Sequence, residues 1–288
     1  MRWEGNRESD NVEDRRGDGG GGGGFSFGGG SLGIGGVVVA LVLSYVLGVS
    51  PSTILGLMSG GAPQQQAQTR TAPANDETTR FVRTVLADTE DVWGNLFRQQ
   101  GETYAQPKLV LFSGRTPTAC GTGQSATGPF YCPPDQRVYI DLDFFKLMQQ
   151  RFHVTGEFAQ AYVIAHEIGH HVQNLMGLSD KVHNAQQRLS EAEGNALSVK
   201  LELQADCFAG VWAFHANRSR QILEQGDIET ALSAATAIGD DALQRQSQGY
   251  VVPDSFTHGT SAQRVRWFRR GIDSGEIAQC DTFSGRRL

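Results

Sequence analysis

Charged side chains are missing altogether from Gly19 to Thr69. Inside that span, "LGIGGVVVALVLSYVLGV" (Leu32–Val49) is almost wholly apolar. Its 18 residues are just long enough to cross a hydrocarbon core of roughly 30 Å. The run lacks an amphipathic stripe, which speaks against a buried core helix. It lacks a following A-x-A site, which speaks against a cleaved signal peptide. A basic excess is also lacking, since the formal net charge is -6. That argues against a basic face for nucleic acid. The chain has only four cysteines, and none has C-x-x-C spacing, so a cysteine zinc site is not expected. From Thr78 onward there is no internal repeat.

These absences divide the chain. Residues 1–31 read as a disordered, Gly-rich tail, with an unbroken glycine run from Gly19 to Gly24. Residues 32–58 read as a single uncleaved membrane anchor. Residues 59–77 are a polar Gly/Pro/Gln linker. Residues 78–288 have ordinary globular composition. Arg2, Arg7, Arg15 and Arg16 precede the anchor, and the next basic residue is Arg70. The positive-inside rule therefore places the N-terminus in the cytoplasm and the bulk of the chain outside.

Within 78–288, Phe81, Val82, Val85, Leu86, Trp93, Leu96 and Phe97 form a helical stripe. "KLVLFSG" and "RVYIDLDFF" read as strands. Helices are expected at about Glu157–Leu175, at about Glu191–Ala216 and over "DIETALSAATAIGDDALQ". Strands come early and helices late, so the expected fold class is α+β. Cys120 with Cys132, and Cys207 with Cys280, either form two disulfides or remain free thiols.

The chemistry gathers in "VIAHEIGHHVQN" (Val163–Asn174). His166, Glu167 and His170 make the H-E-x-x-H pattern. Residues four apart share a helix face, so both imidazoles reach one ion, and neutral imidazole suits zinc. Glu167 sits where it can take a proton from a metal-bound water. His171 lies far round the helix. Catalytic zinc usually takes three protein ligands. Glu202 and Asp206 in "ELQAD" supply two carboxylates four apart, one to bind metal and the other to hold a histidine ring by its second nitrogen.

"HEIGH" followed by "ELQAD" resembles the gluzincin metallopeptidases. The ordered set "GPFYCPPDQRVYIDLDFF", "AHEIGHHVQ", "ELQADCFAG", "GDIETALSAATAIGDD" and "FTHGTSAQRVRWFRRG" is similar to the bacterial family named putative neutral zinc metallopeptidases. The resemblance covers roughly Phe81 to Phe283 plus the anchor. It implies a mainly helical, gluzincin-like α+β zinc peptidase domain with a small sheet, preceded by one transmembrane helix. It implies Zn2+ held by His166, His170 and Glu202, with Glu167 as catalytic base and Asp206 partnering a ligand histidine. "THGTSAQR" resembles an H-P-x-x-x-x-R element, which implies that His258 steadies an oxyanion and that Arg264 fixes the Asp206 region. Gly259 stands where that element usually has proline. By analogy "VYIDLDFF" is either an edge strand that pairs with substrate or a core strand. The partners implied are a protein or peptide substrate and a membrane, with no nucleic acid. The rival reading is a membrane-anchored scaffold with a structural zinc, whose fourth ligand would be His171, His183 or His258.

Overall fold

The computed structural model describes residues 1–17, 76–125 and 128–284. The described strands are β1 (Val12–Asp14), β2 (Lys108–Phe112), β3 (Arg115–Thr118), β4 (Gly121–Gln124), β5 (Phe130–Cys132) and β6 (Arg137–Asp141). The helices are α1 (Glu77–Gln99), α2 (Asp143–Phe152), α3 (Glu157–Leu175), α4 (Leu178–Gln186), α5 (Glu191–Arg220), α6 (Asp227–Ala237), α7 (Asp240–Gln248) and α8 (Ser261–Ser274). The architecture is mostly helical with a small sheet.

The sheet runs in the order β1-β2-β6-β5. β1 and β2 are parallel, as are β2 and β6, while β5 is antiparallel to β6. Side chains alternate across a strand, and here both faces are covered. Leu109, Leu111, Val138 and Ile140 enter the main core, while Val110, Phe112 and Tyr139 face a second cluster with Cys132. β6 is therefore a core strand, and β5 is an edge. The Cys120–Cys132 disulfide ties β5 to the β3–β4 hairpin. Beyond Asp141 the expected strand "RVYIDLDFF" turns into α2. Asp141 fixes the turn by accepting from the backbone N–H of Asp143 at 3.0 Å and of Gly114 at 2.9 Å.

α3 is buried along nearly its whole length and packs against α1, α5 and α6. α5 packs along α8 and against α3. A capping box formed by Ser190 and Glu193 starts α5, and a second formed by Thr260 and Gln263 starts α8. The Cys207–Cys280 disulfide ties the middle of α5 to the C-terminal segment.

The membrane assignment is corrected here. No described helix is long and apolar enough to cross a membrane. The stretch Leu32–Val49 lies outside the described residues. The N-terminal segment gives a physical reason against the single-pass arrangement. β1 pairs with β2 through Val12 opposite Leu109 and Asp14 opposite Leu111. Trp3 is buried, packs edge-on against Phe81 at 5.5 Å, and donates its indole N–H to Glu157 at 2.9 Å. One crossing between Gly17 and Asp76 would put β1 and its partner on opposite sides of a bilayer. The predicted single-pass fold, with cytoplasmic N-terminus and outer catalytic domain, is thus overturned.

Met1–Arg15, expected as part of a disordered tail, belong to the same compact unit as the later helices and strands. Their attachment is largely polar. The buried Glu90 carboxylate of α1 accepts from Ser9 Oγ at 2.6 Å, Asn11 Nδ2 at 2.8 Å and Arg7 Nη2 at 2.9 Å. Replacing Glu90 by leucine leaves three donors short of their acceptor. The expected loss is roughly 2 to 4 kcal/mol of stability, with faster hydrogen exchange confined to the N-terminal segment and α1. Urea unfolding and exchange mass spectrometry check this. Unchanged stability and protection would show that the latch contributes nothing.

Candidate metal centre

The centre is built where α3 crosses α5. At the crossing, a Cβ on Gly169 would lie 3.0 Å from both Cα and O of Ala205. Glycine at this place lets the two backbones approach closely. The turns above and below then face each other with His166 and His170 on one side and Glu202 and Asp206 on the other.

Both imidazoles are oriented by their Nδ1 atoms. His166 Nδ1 lies 2.9 Å from Asp206 Oδ1, and His170 Nδ1 lies 2.9 Å from Gln173 Oε1. Each acceptor oxygen requires the proton on Nδ1, which leaves Nε2 to face inward. His166 Nε2 is 3.1 Å from Glu202 Oε2, and His170 Nε2 is 3.3 Å from Glu202 Oε1. One ligand atom from each of His166, His170 and Glu202 lies within 4.8 Å of the others. Two free imidazole nitrogens and a carboxylate converging on one point suit zinc. Among the described residues, no fourth Cys, His, Asp or Glu belongs to the group. His170 and Glu202 keep 19% and 17% of their side chains exposed, so the cluster opens to solvent on that side.

Asp206 is the hub behind the cluster. It is fully buried and receives Arg264 Nε at 2.8 Å, Arg264 Nη2 at 2.9 Å and Tyr162 OH at 2.5 Å, besides His166. Burial works to raise its pKa, but Arg264 and His166 outweigh that and hold it down at about 2. Burial likewise opposes charge on His166, yet Asp206 and Glu202 push it up to about 10. Glu202 is held well below the usual carboxylate range despite burial, by His170, His258 and its hydrogen bonds. A metal ion held here would compete with protons for the imidazole nitrogens. Glu167 is buried beside the two histidines, and burial raises its pKa while both histidines pull it down.

His258 stands apart on the loop before α8, with its side chain half exposed. It is nonetheless close enough to Glu202 for each to shift the other's pKa. Sequence reading missed the residue that holds this loop. Asp240 Oδ2 accepts from the backbone N–H of Thr257 at 2.8 Å, His258 at 2.6 Å and Gly259 at 3.0 Å. Gly259 adopts φ +88°, and its N–H is in use. Proline can supply neither, which accounts for glycine in place of the expected proline. Gln173 was also missed. Its place three residues past His170, on the same helix face, was the available signal.

The family described as putative neutral zinc metallopeptidase matches residues 1–283, and the chain belongs to that family. Among its relatives, Uncharacterized protein YpfJ of Escherichia coli (strain K12) is 56% identical over 288 residues, covering 98% of this chain and 99% of the relative. Uncharacterized protein Rv2575 of Mycobacterium tuberculosis (strain ATCC 25618 / H37Rv) is 40% identical over 256 residues, covering 82% of this chain and 86% of the relative. No solved structure matches. Membership implies Zn2+ as cofactor, and His166, His170 and Glu202 could hold it.

Two histidines weighed as a fourth ligand lie elsewhere. His183 is exposed on α4 beside Gln187. His171 is fully buried, with Nε2 2.6 Å from the Ala105 carbonyl and Nδ1 2.9 Å from Tyr131 OH. The carbonyl requires Nε2–H, so Nδ1 accepts from Tyr131 and the ring is neutral. Burial pushes its pKa down from 6.5 to about 4. The unfolded chain therefore takes up this proton first as pH falls. The contribution of His171 is complete above about pH 6.5 and is lost as pH drops toward 4. In chelator, wild type should lose up to roughly 3 kcal/mol more than His171→Gln between pH 7 and 4. Parallel urea-unfolding curves for the two proteins across that range would contradict the assignment.

Proposed function

We propose that this chain is a zinc-dependent endopeptidase, with His166, His170 and Glu202 as metal ligands and Glu167 as general base. The observation that carries the reading is the convergence of two Nδ1-anchored imidazoles and one carboxylate on a point with no fourth protein ligand among the described residues. A structural zinc site is closed by four protein ligands, whereas a catalytic site keeps one position for water or substrate. Of the three histidines weighed as that fourth ligand, His171 is committed to Tyr131 and Ala105, His183 is exposed beside Gln187, and His258 is not one of the grouped ligand atoms.

Zinc bound there would act as a Lewis acid toward a peptide carbonyl and would acidify water. The protein's own part is proton transfer and positioning. Glu167 follows His166 directly, and its burial raises its proton affinity, which suits a base that must take a proton from water. It would take the proton from the attacking water and pass it to the leaving nitrogen. Asp206, itself held by Arg264 and Tyr162, would keep His166 in the tautomer that presents Nε2. His258, on the loop gripped by Asp240, would donate to the oxyanion of the tetrahedral intermediate. A substrate strand would add to an edge of the sheet, and β5 is the edge that packs against α3, while β6 is paired on both sides.

The test uses the full chain, because β1 is part of the sheet. Wild type and Glu167→Gln should each carry about one zinc per chain by elemental analysis. Only wild type should cleave unfolded casein, with a loss in the variant of about a hundredfold or more. Equal cleavage by both would remove Glu167 as base. A wild type that binds no zinc after metal-replete refolding would sink the reading.

A further inference from the structure

His166 is oriented by a carboxylate, but His170 is not. Its Nδ1 partner is the amide oxygen of Gln173, a residue 1% exposed. The amide of Gln173 is itself fixed. Its Nε2 donates to Leu201 O at 2.7 Å and to Gln204 Oε1 at 3.0 Å. Both partners belong to the ligand-bearing helix α5, one on each side of the turn that carries Glu202 and Leu203. Gln204 is also buried, and its Nε2 donates to Cys280 O at 3.0 Å. Cys280 is fully buried and joined by disulfide to Cys207 on α5. Thr282, two residues on, donates its hydroxyl to Lys200 O at 2.7 Å, so the C-terminal segment is tied to α5 at a second point.

These contacts form one directed chain from His170 Nδ1–H to Gln173 Oε1, from Gln173 Nε2–H to Gln204 Oε1, and from Gln204 Nε2–H to Cys280 O. Each amide has its oxygen and nitrogen assigned by its neighbours, so a flip of Gln173 breaks three bonds and a flip of Gln204 breaks two. The Gln173 oxygen can face His170 only while Gln204 Oε1 and Leu201 O receive its NH2. We propose that Gln173 and Gln204 are positioning residues for the metal, and that the disulfide-held C-terminal segment sets zinc affinity through them.

The inference rests on the assignment of His170 as a ligand but not on peptidase activity. Outer partners of ligand histidines commonly change metal affinity by about 10- to 100-fold when removed. Nothing in this relay bears a charge, so its effect lies in orientation and tautomer rather than in the field at the ion.

The experiment measures the zinc dissociation constant of the full chain by competition with a chromophoric chelator. Gln173→Leu should weaken zinc binding by about 10- to 100-fold. Gln173→Glu keeps the shape and an acceptor for Nδ1–H but lacks the NH2 that Leu201 O and Gln204 Oε1 receive, so it should recover only part of that loss, whereas a packing role predicts full recovery. Gln204→Leu, and separately the double replacement Cys207→Ala with Cys280→Ala, should each weaken binding by several-fold. In the Gln173→Leu background those changes should add little, because the same chain is already broken. Thermal unfolding in chelator identifies any variant that fails to fold, and for such a residue the conservative variant decides. Unchanged affinity in Gln173→Leu would overturn the proposal. Full additivity of the Gln204 or cysteine changes would overturn the relay. Absence of zinc binding by wild type would instead overturn the metal reading itself, and the relay with it.

Discussion

The close crossing of α3 and α5 at Gly169 and Ala205 is the constraint on which the centre depends. It lets two turns of one helix present His166 and His170 to a turn of the other that presents Glu202 and Asp206. A Cβ at Gly169 would press on the Ala205 backbone and push the two helices apart by a few tenths of an ångström. The rest of the helical assembly holds this crossing. α1 and α6 flank α3, α8 lies along α5, and the Cys207–Cys280 disulfide fixes the C-terminal segment to α5.

Charge balance explains why the centre tolerates burial. Asp206 is fully buried, and Glu202 is mostly so. An unpaired carboxylate in such a place would cost several kcal/mol. Arg264 neutralises Asp206 from behind, while the inner faces of the imidazoles and Glu202 call for a cation between them. Arg264 is thus part of the centre without facing it. The same logic recurs at Asp240, where a carboxylate is satisfied by three backbone N–H groups and so stiffens the loop of His258.

Much of this was legible in the sequence, for reasons that differ by element. The helix of "HEIGHH" and the helix of "ELQAD" are long and rich in apolar residues around their polar motifs, and α3 spans the residues expected of it. The i, i+4 spacing placed His166 and His170 on one face without any tertiary information. What could not be read was polar and nonlocal. The N-terminal segment has few apolar residues and is held by nonlocal contacts, with Trp3 on Phe81, β1 on β2 and the Glu90 carboxylate collecting donors from about eighty residues away. Asp240 works through backbone partners that leave no pattern in the chain, and Gln173 through amide partners on another helix, with its i, i+3 spacing from His170 as its one local signal. "DIETALSAATAIGDDALQ" reads as one helix but breaks at Gly239 into α6 and α7, which frees Asp240 to grip the His258 loop. The apolar run Leu32–Val49 showed the opposite hazard. Length and hydropathy suggested a single crossing, and the pairing of β1 with β2 rules out that topology for the described parts of the chain.

The central claim is that one zinc ion is held by two imidazoles and one carboxylate, with a position left over. X-ray absorption at the zinc edge of the zinc-loaded full chain tests it most directly. The account predicts scattering from two imidazole rings and from light oxygen donors, with no sulfur. A third imidazole, a sulfur ligand, or a shell unchanged by replacing Glu202 with alanine would contradict it.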